Sequence, residues 1–232
     1  MNIAVIPARG GSKRIPHKNI KEFYGKPMIA YAISAAKESC LFDHIVVSTD
    51  DENIAEIARS FGAETPFMRP PELADDHTPT VPVIAHAIKA CQILGWKFNQ
   101  VCCIYPSVPF LQTDDLRGAR VLSDSGELDY CFPVTEYPSS IWRSLKLLNN
   151  GKIQALYPEF ALTRTQDLNS TYYDAGQFYW GKVDAWLTNA NIHSNGVGYP
   201  IPNWRVVDID TQNDWQRAEL LYRAMNNSIS EL

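Results

Sequence analysis

Ile3-Ala4-Val5-Ile6-Pro7-Ala8-Arg9-Gly10-Gly11-Ser12-Lys13-Arg14-Ile15-Pro16-His17-Lys18-Asn19 joins an apolar run to a short, strongly cationic loop. Ile3 to Ile6 carries no polar residue, the pattern of a strand buried on both faces of a parallel sheet. The loop sets Arg9, Lys13, Arg14 and Lys18 around the adjacent Gly10 and Gly11. Glycine lets backbone approach a ligand and turn amide N–H groups towards it, and cations beside such a cradle suit a polyphosphate. Ligands of open α/β sheets bind at the carboxyl ends of strands, which is where this loop falls. It is neither a Walker A loop nor G-x-G-x-x-G, which disfavours two familiar phosphate loops.

The rest of the chain repeats the same rhythm. His44 to Thr49, Val101 to Tyr105 and Tyr130 to Val134 read as further buried strands. Between them, helices are expected over Pro27 to Ser39, Glu52 to Phe61 with Asp50 as cap, Val81 to Leu94, and Thr113 to Ser123 with Thr113 as cap. Ala63 to Met68 reads as a short strand before Arg69-Pro70-Pro71. This order implies an α/β fold: a Rossmann-like, mostly parallel sheet flanked by helices. After Tyr137 the rhythm changes. Two apolar segments flank Asn149-Asn150-Gly151, a hairpin signal, so an excursion from the main sheet is expected there. Gln177 to Trp180 and Val206 to Asp210 read as later strands, and Trp215 to Met225 as a closing helix.

Composition narrows the partners. The chain has 232 residues, 45% hydrophobic and 20% charged, with a formal net charge of -5. Such an acidic protein is not built for nucleic acid, which wants a basic face. A small anion in a local basic loop is compatible with it. The five cysteines show no C-x-x-C pair and read as reduced thiols of a cytoplasmic protein. No apolar stretch approaches the length of a membrane span.

Asp208-Ile209-Asp210 sets two carboxylates on one face of an extended segment. Paired acids repel unless a cation joins them, and hard oxygens suit Mg²⁺. Alone, D-x-D would be read as helix-capping acids; beside a polyphosphate loop, the metal role comes first. Asp51 and Glu52 are read as acids at a helix start. The five histidines form no triad and no ligand cluster.

Taken together, these motifs resemble the cytidylyltransferases that activate nonulosonic acids, the CMP-sialic acid synthetase type. The resemblance is carried by Ala8, Arg9, Ser12, Lys13, Pro16, Lys18 and Asn19; by Ser48 to Asp50; by Arg69 to Asp76; by Pro106 to Pro109; and by Asp208 to Trp215. It covers nearly the whole chain. It implies that Ala8, Arg9, Gly10, Gly11, Ser12, Lys13 and Lys18 hold the triphosphate of CTP, that Asn19, Arg69, Thr78 and Thr80 border the cytidine, and that Asp208 and Asp210 hold Mg²⁺. Arg9, Lys13, Asp208 and Asp210 would then carry the catalysis. Tyr105 stands where sialic acid synthetases carry Gln, and with Arg164 and Gln177 it points to the pseudaminic acid branch. Those three are expected at the sugar.

The resemblance thus implies one GT-A-like nucleotidyltransferase domain over 1–232, with an excursion at about 138–172 at a homodimer contact. The expected reaction transfers CMP from CTP to the anomeric hydroxyl of pseudaminic acid. Sialic, legionaminic and 3-deoxy-octulosonic acid are the alternative sugars, and a non-catalytic nucleotide-binding protein is the alternative of another class.

Overall fold

The apolar runs from Ile3, His44, Val101 and Tyr130 become strands of one central sheet in a computed structural model of the chain, which describes residues 1–124, 128–188 and 191–229. In chain order the elements are β1 (Asn2–Pro7), β2 (Glu22–Phe23), β3 (Lys26–Pro27), α1 (Met28–Ser39), β4 (His44–Ser48), α2 (Glu52–Ser60), α3 (Thr80–Ile93), β5 (Gln100–Ile104), α4 (Thr113–Ser123), β6 (Tyr130–Glu136), β7 (Leu145–Leu147), β8 (Ile153–Ala155), β9 (Tyr172–Asp174), β10 (Phe178–Lys182), α5 (Val183–Thr188), β11 (Gly196–Pro200) and α6 (Gln212–Ile229). The sheet order is β11-β6-β10-β5-β1-β4, with β9 added on β6. β11, β6, β5, β1 and β4 run one way; β10, wedged between β5 and β6, and β9 run the other. The sheet is therefore mainly parallel, as the unbroken apolar runs require.

Helices cover both faces. Ile29, Ala32, Ile33, Ile54, Leu116 and Ala119 pack one face from α1, α2 and α4. Ile84, Ala87, Ile88, Ala185 and Trp186 pack the other from α3 and α5. Each fully buried Ile or Leu contributes roughly 1.5–3 kcal/mol of transfer free energy. Among the described residues no helix is long and apolar enough to cross a membrane. The five cysteines are free thiols, four of them buried.

Four local expectations are corrected. Asp51, not Asp50, caps α2, accepting from the amides of Asn53 (2.8 Å) and Ile54 (3.3 Å). Gln112, not Thr113, is the cap of α4, its own amide donating to Asp115 at 3.3 Å. The strand expected over Ala63 to Met68 shrinks to one bridge between Glu64 and Val46. The chain leaves the sheet there, so that the Arg69 amide reaches Thr49 O at 2.7 Å. Val206 to Asp210 pairs with no strand. Val206 and Ile209 are buried without strand pairing, and the segment is tethered by side chains instead. The strand beside β6 is β11, whose glycines permit the approach: a Cβ on Gly196 would lie 2.7 Å from a Phe132 ring carbon.

The hairpin after Tyr137 forms as read, with Leu145 opposite Ala155 and Leu147 opposite Ile153. It stands apart from the main sheet, and all six strand residues are exposed.

Candidate active site

The cationic loop leaves β1 and folds against the acids that follow β4. The Gly10 amide donates to Asp50 Oδ1 at 3.0 Å, and Ala8 N to Ser48 O at 2.9 Å. The Gly10 amide is thus turned to Asp50 and not, as expected, to a ligand. Gly10 is needed for another reason: a Cβ there would lie 2.7 Å from Asp51 Oδ2. A Cβ on Gly11 would meet nothing within 4 Å. Asn19, 4% exposed, donates its side-chain amide to Arg9 O at 2.9 Å, which fixes the loop's return.

A cavity of about 230 Å³ opens above this loop. Its lining holds the cations Arg9, Lys13, Arg14 and Lys18, with Ser12 and Asn19. Arg69, Thr78, Thr80, Val83 and Tyr105 line the same cavity. Arg69 is 5% exposed, with Nε on Ser48 Oγ (3.1 Å) and Nη2 on Ser48 O (2.5 Å). Burial lowers its pKa to about 10, opposed in part by Asp50, so it stays charged at neutral pH. Thr78 Oγ1 donates to Asp75 Oδ1 at 2.7 Å, and Thr80 Oγ1 shares a hydrogen bond with the Tyr105 hydroxyl at 2.7 Å.

The cations are already engaged by acids. Asp76 bridges Arg9 Nη1 (2.6 Å) and Lys13 Nζ. Those two contacts, Lys13 foremost, lower the pKa of Asp76. Arg9 Nη1 also donates to Asp75 O at 2.7 Å. Asp210 accepts from Arg14 Nη2 at 2.8 Å and Lys18 Nζ at 3.4 Å, while Lys18 also donates to Ile209 O at 2.7 Å.

A second cavity, about 450 Å³, adjoins the first; Tyr105 and Asp210 line both. Asp208, Asp214, Asp174, Tyr173 and Arg217 complete much of its wall. Asp208 has its pKa raised, first by burial and then by the charge of Asp210. The segment bearing both acids is held at its base by Arg205, whose guanidinium grips Asp115 twice, Nη1 to Oδ2 at 2.5 Å and Nη2 to Oδ1 at 3.0 Å.

The sequence-derived residues therefore divide. Arg9, Ser12, Lys13, Lys18, Asn19, Arg69, Thr78, Thr80, Tyr105 and Asp210 line one cavity, and Asp208 faces its neighbour. Ala8 is fully buried beneath the loop. Gln177 is 4% exposed and lines neither cavity; its Nε2 donates to Arg205 O at 2.9 Å, which makes it a brace for the acid-bearing segment. Arg164 is exposed on the excursion and lines neither cavity. Asp76, Asp50 and Arg14 join the site: Arg14 was named with the loop's cations and the two acids within motifs, but none was given a role there. Their partners are remote in sequence, and no spacing signals them.

Comparison with known proteins matches this architecture. Residues 3–167 fit the family model described as cytidylyltransferase. A pseudaminic acid cytidylyltransferase of Campylobacter jejuni is 39% identical over 98% of either chain. A CMP-N,N'-diacetyllegionaminic acid synthase of Legionella pneumophila is 31% identical over 94% of this chain and 95% of its own. Among solved structures, a CMP:2-keto-3-deoxy-manno-octonic acid synthetase complexed with CTP shares the fold, with a TM-score of 0.70 and 19% identity over 97% of this chain and 99% of its own. With a family model matching most of its length and relatives this similar from end to end, the chain belongs to the cytidylyltransferase family.

Proposed function

We propose that this cytidylyltransferase moves the cytidylyl group of CTP onto the anomeric hydroxyl of a nonulosonic acid, that this acid is pseudaminic acid, and that pyrophosphate leaves. The observation that carries the reading is the pair of adjoining cavities. One is lined by four cations that suit a triphosphate; the other, sharing Tyr105 and Asp210 with it, has room for a sugar. The choice of pseudaminic acid rests on the 39% identical relative, against 31% for the legionaminic acid enzyme.

In this reading Arg9 and Lys13 leave Asp76 for the β- and γ-phosphates and stabilise charge on the departing pyrophosphate. Lys18 and Arg14 hold Asp210 in place beside the α-phosphate. Tyr105 orients the sugar so that its hydroxyl stands in line with the leaving group, which is where most of the rate enhancement arises.

Mg²⁺ is the expected cofactor, and the donors fit it. Asp208 and Asp210 are hard oxygen ligands, and a cation between them would relieve the repulsion and desolvation that raise the Asp208 pKa. Among the described residues no cluster of three or more His, Cys, Asp or Glu forms a ready-made cage. Mg²⁺ commonly takes one or two carboxylates and completes its shell with phosphate oxygens and water. When bound, it supplies charge neutralisation at the transferring phosphate.

A homodimer is part of the proposal. Leu147 (72% exposed), Ile153 (65%) and Leu162 (99%) make the excursion apolar, a face that a second copy would cover. Arg164 lies on that excursion, so it reaches a sugar in this arrangement by packing over the partner copy's cavity. CTP as substrate and free thiols agree with a cytoplasmic setting.

The deciding experiment is pyrophosphate release with CTP and, in turn, pseudaminic, legionaminic, sialic and 3-deoxy-octulosonic acid, with and without Mg²⁺. Turnover confined to pseudaminic acid and Mg²⁺ is expected. Equal turnover of another sugar would overturn the sugar assignment, and full activity in EDTA the metal assignment.

A further inference from the structure

The second cavity is acidic, which suits poorly a substrate that is itself an acid. Asp174, Asp208, Asp210 and Asp214 line it, and Arg217 is the one cation among its described lining residues. Like charges in one cavity repel, so an anionic sugar settles there only against a cation that offsets them. Three of the four acids have donors of their own. Asp210 takes Arg14 Nη2 at 2.8 Å and Lys18 Nζ at 3.4 Å. Asp174 Oδ2 accepts the Tyr179 hydroxyl at 2.9 Å and meets His193 Nε2 at 2.8 Å, while Oδ1 accepts the Gly176 amide at 2.8 Å. Asp214 Oδ2 accepts the amides of Asp210 (3.2 Å) and Thr211 (2.7 Å) and the Thr211 hydroxyl (2.7 Å).

Arg217 is engaged differently. Among the described residues it has neither a hydrogen bond nor an ion pair; its charge reaches Asp214, whose pKa is lowered first by Thr211 and last by Arg217. Its backbone is nonetheless fixed. Trp215 (2% exposed) and Ala218 (0%) bury the inner face of α6 against Phe23, Met28 and Phe110. Asp214 ties the first turn of the helix to the acid-bearing segment, and Arg217, three residues on, shares its face. An exposed helical arginine is ordinarily a solvated charge. This one rises from an anchored turn into a cavity whose other charges are all negative. It does not line the first cavity, where Arg9, Lys13, Arg14 and Lys18 already serve phosphates.

We infer that Arg217 receives the carboxylate of the sugar acid and thereby selects acids over neutral sugars in the second cavity. A guanidinium presents its donors as a fork that matches a carboxylate bidentately. In a nonulosonic acid the carboxyl carbon is bonded to the anomeric carbon, so the cation that grips the carboxylate also sets the direction of the anomeric hydroxyl. Arg164 would need a partner copy to reach a sugar; Arg217 needs none. The inference rests on the cytidylyl-transfer reading above and adds to it the residue of this chain that recognises the acid.

The test compares pseudaminic acid with its carboxamide, which keeps the anomeric hydroxyl and the shape but carries no charge. For wild type, Arg217→Gln and Arg217→Met, kcat/KM for each sugar is measured by pyrophosphate release at saturating CTP, and binding of CTP alone by calorimetry. Both replacements are good helix formers at an exposed position, so the fold should be kept. Wild type should favour the acid over the amide by about tenfold or more. Loss of a charge-assisted contact should lower kcat/KM for the acid by about tenfold to a hundredfold and leave the amide nearly unchanged, so that the ratio collapses. CTP affinity should stay within about twofold of wild type. A merely structural loss lowers kcat/KM for both sugars equally and leaves the ratio intact. The inference is refuted if either variant, folded as wild type by circular dichroism, keeps the wild-type acid/amide ratio within about twofold, or if CTP binding weakens as much as use of the sugar. Should one variant fail to fold, the other decides. Wild-type protein that releases no pyrophosphate from CTP with any nonulosonic acid would overturn the transfer reading itself, a result distinct from failure of Arg217.

Discussion

Removing the Arg205 side chain should unfold the protein more readily than any surface change, because of where its charge lies. The side chains of Arg205 and Asp115 are 12% and 6% exposed, and they meet through two hydrogen bonds. Arg205→Ala leaves the Asp115 carboxylate buried and unpaired. Breaking one side of a buried pair costs about 3–5 kcal/mol. For a chain of this size each kcal/mol shifts the melting temperature by roughly 2–4 °C, so a fall of about 6–20 °C is expected. Urea unfolding followed by tryptophan fluorescence gives the free energy, with the slope m unchanged if the native fold is kept. Arg205→Met with Asp115→Leu should cost far less than Arg205→Ala alone, since no orphan charge remains. A loss below about 1 kcal/mol for Arg205→Ala would place the pair among solvent-screened surface bridges and refute the reasoning.

Four more outcomes follow from the site. Lys13→Ala removes a cation from the leaving pyrophosphate, about 2–4 kcal/mol of transition-state stabilisation, and should slow steady-state turnover about thirtyfold to a thousandfold; near-normal rates would contradict the role. Asp76→Asn frees Arg9 and Lys13, so metal-free CTP should bind more tightly by calorimetry, with a steeper dependence on salt; unchanged affinity would show that the bridge does not compete. Gly10→Ala drives a methyl into Asp51, the cap of α2, and should lower thermal stability by a cap's worth, about 1 kcal/mol, whereas Gly11→Ala should stay within about 0.5 kcal/mol of wild type. Asp208→Asn tests a pH sign. Because the folded pKa of Asp208 is raised, the folded state holds its proton more tightly than the unfolded chain, and metal-free stability falls as pH rises from the unfolded to the folded value. The variant should therefore melt higher than wild type at pH 7 and lose Mg²⁺-dependent turnover; a lower melting point would reverse the argument.

The strands were readable because burial on both faces leaves an unbroken apolar run, as in Val101-Cys102-Cys103-Ile104. β11 was not, because Gly196-Val197-Gly198 reads as turn chemistry when the close approach to β6 is unknown. Val206 to Asp210 has a strand's apolar residues without a strand's partner, and nothing local distinguishes the two. The cationic loop and the acid pair could be named from sequence, since their residue types already carry the chemistry. What holds them could not. Asp50 on Gly10, Asp76 across Arg9 and Lys13, and Gln177 on Arg205 each join positions 28 to 67 residues apart. Arg164 was expected at the sugar from its charge and from the resemblance; it lies exposed on the excursion and lines neither cavity.

The ties on the glycine loop have an entropic consequence. Gly10 is held by Asp50, Ala8 by Ser48 and Asn19 by Arg9, so the loop has its shape before any nucleotide arrives. Ordering a free backbone costs about 1–2 kcal/mol per residue. That cost is met during folding, by contacts to β4 and α2, and is not subtracted from binding. Substrate should therefore find a fixed mould, and mutations at Asp50 should weaken nucleotide affinity by loosening a loop they do not belong to.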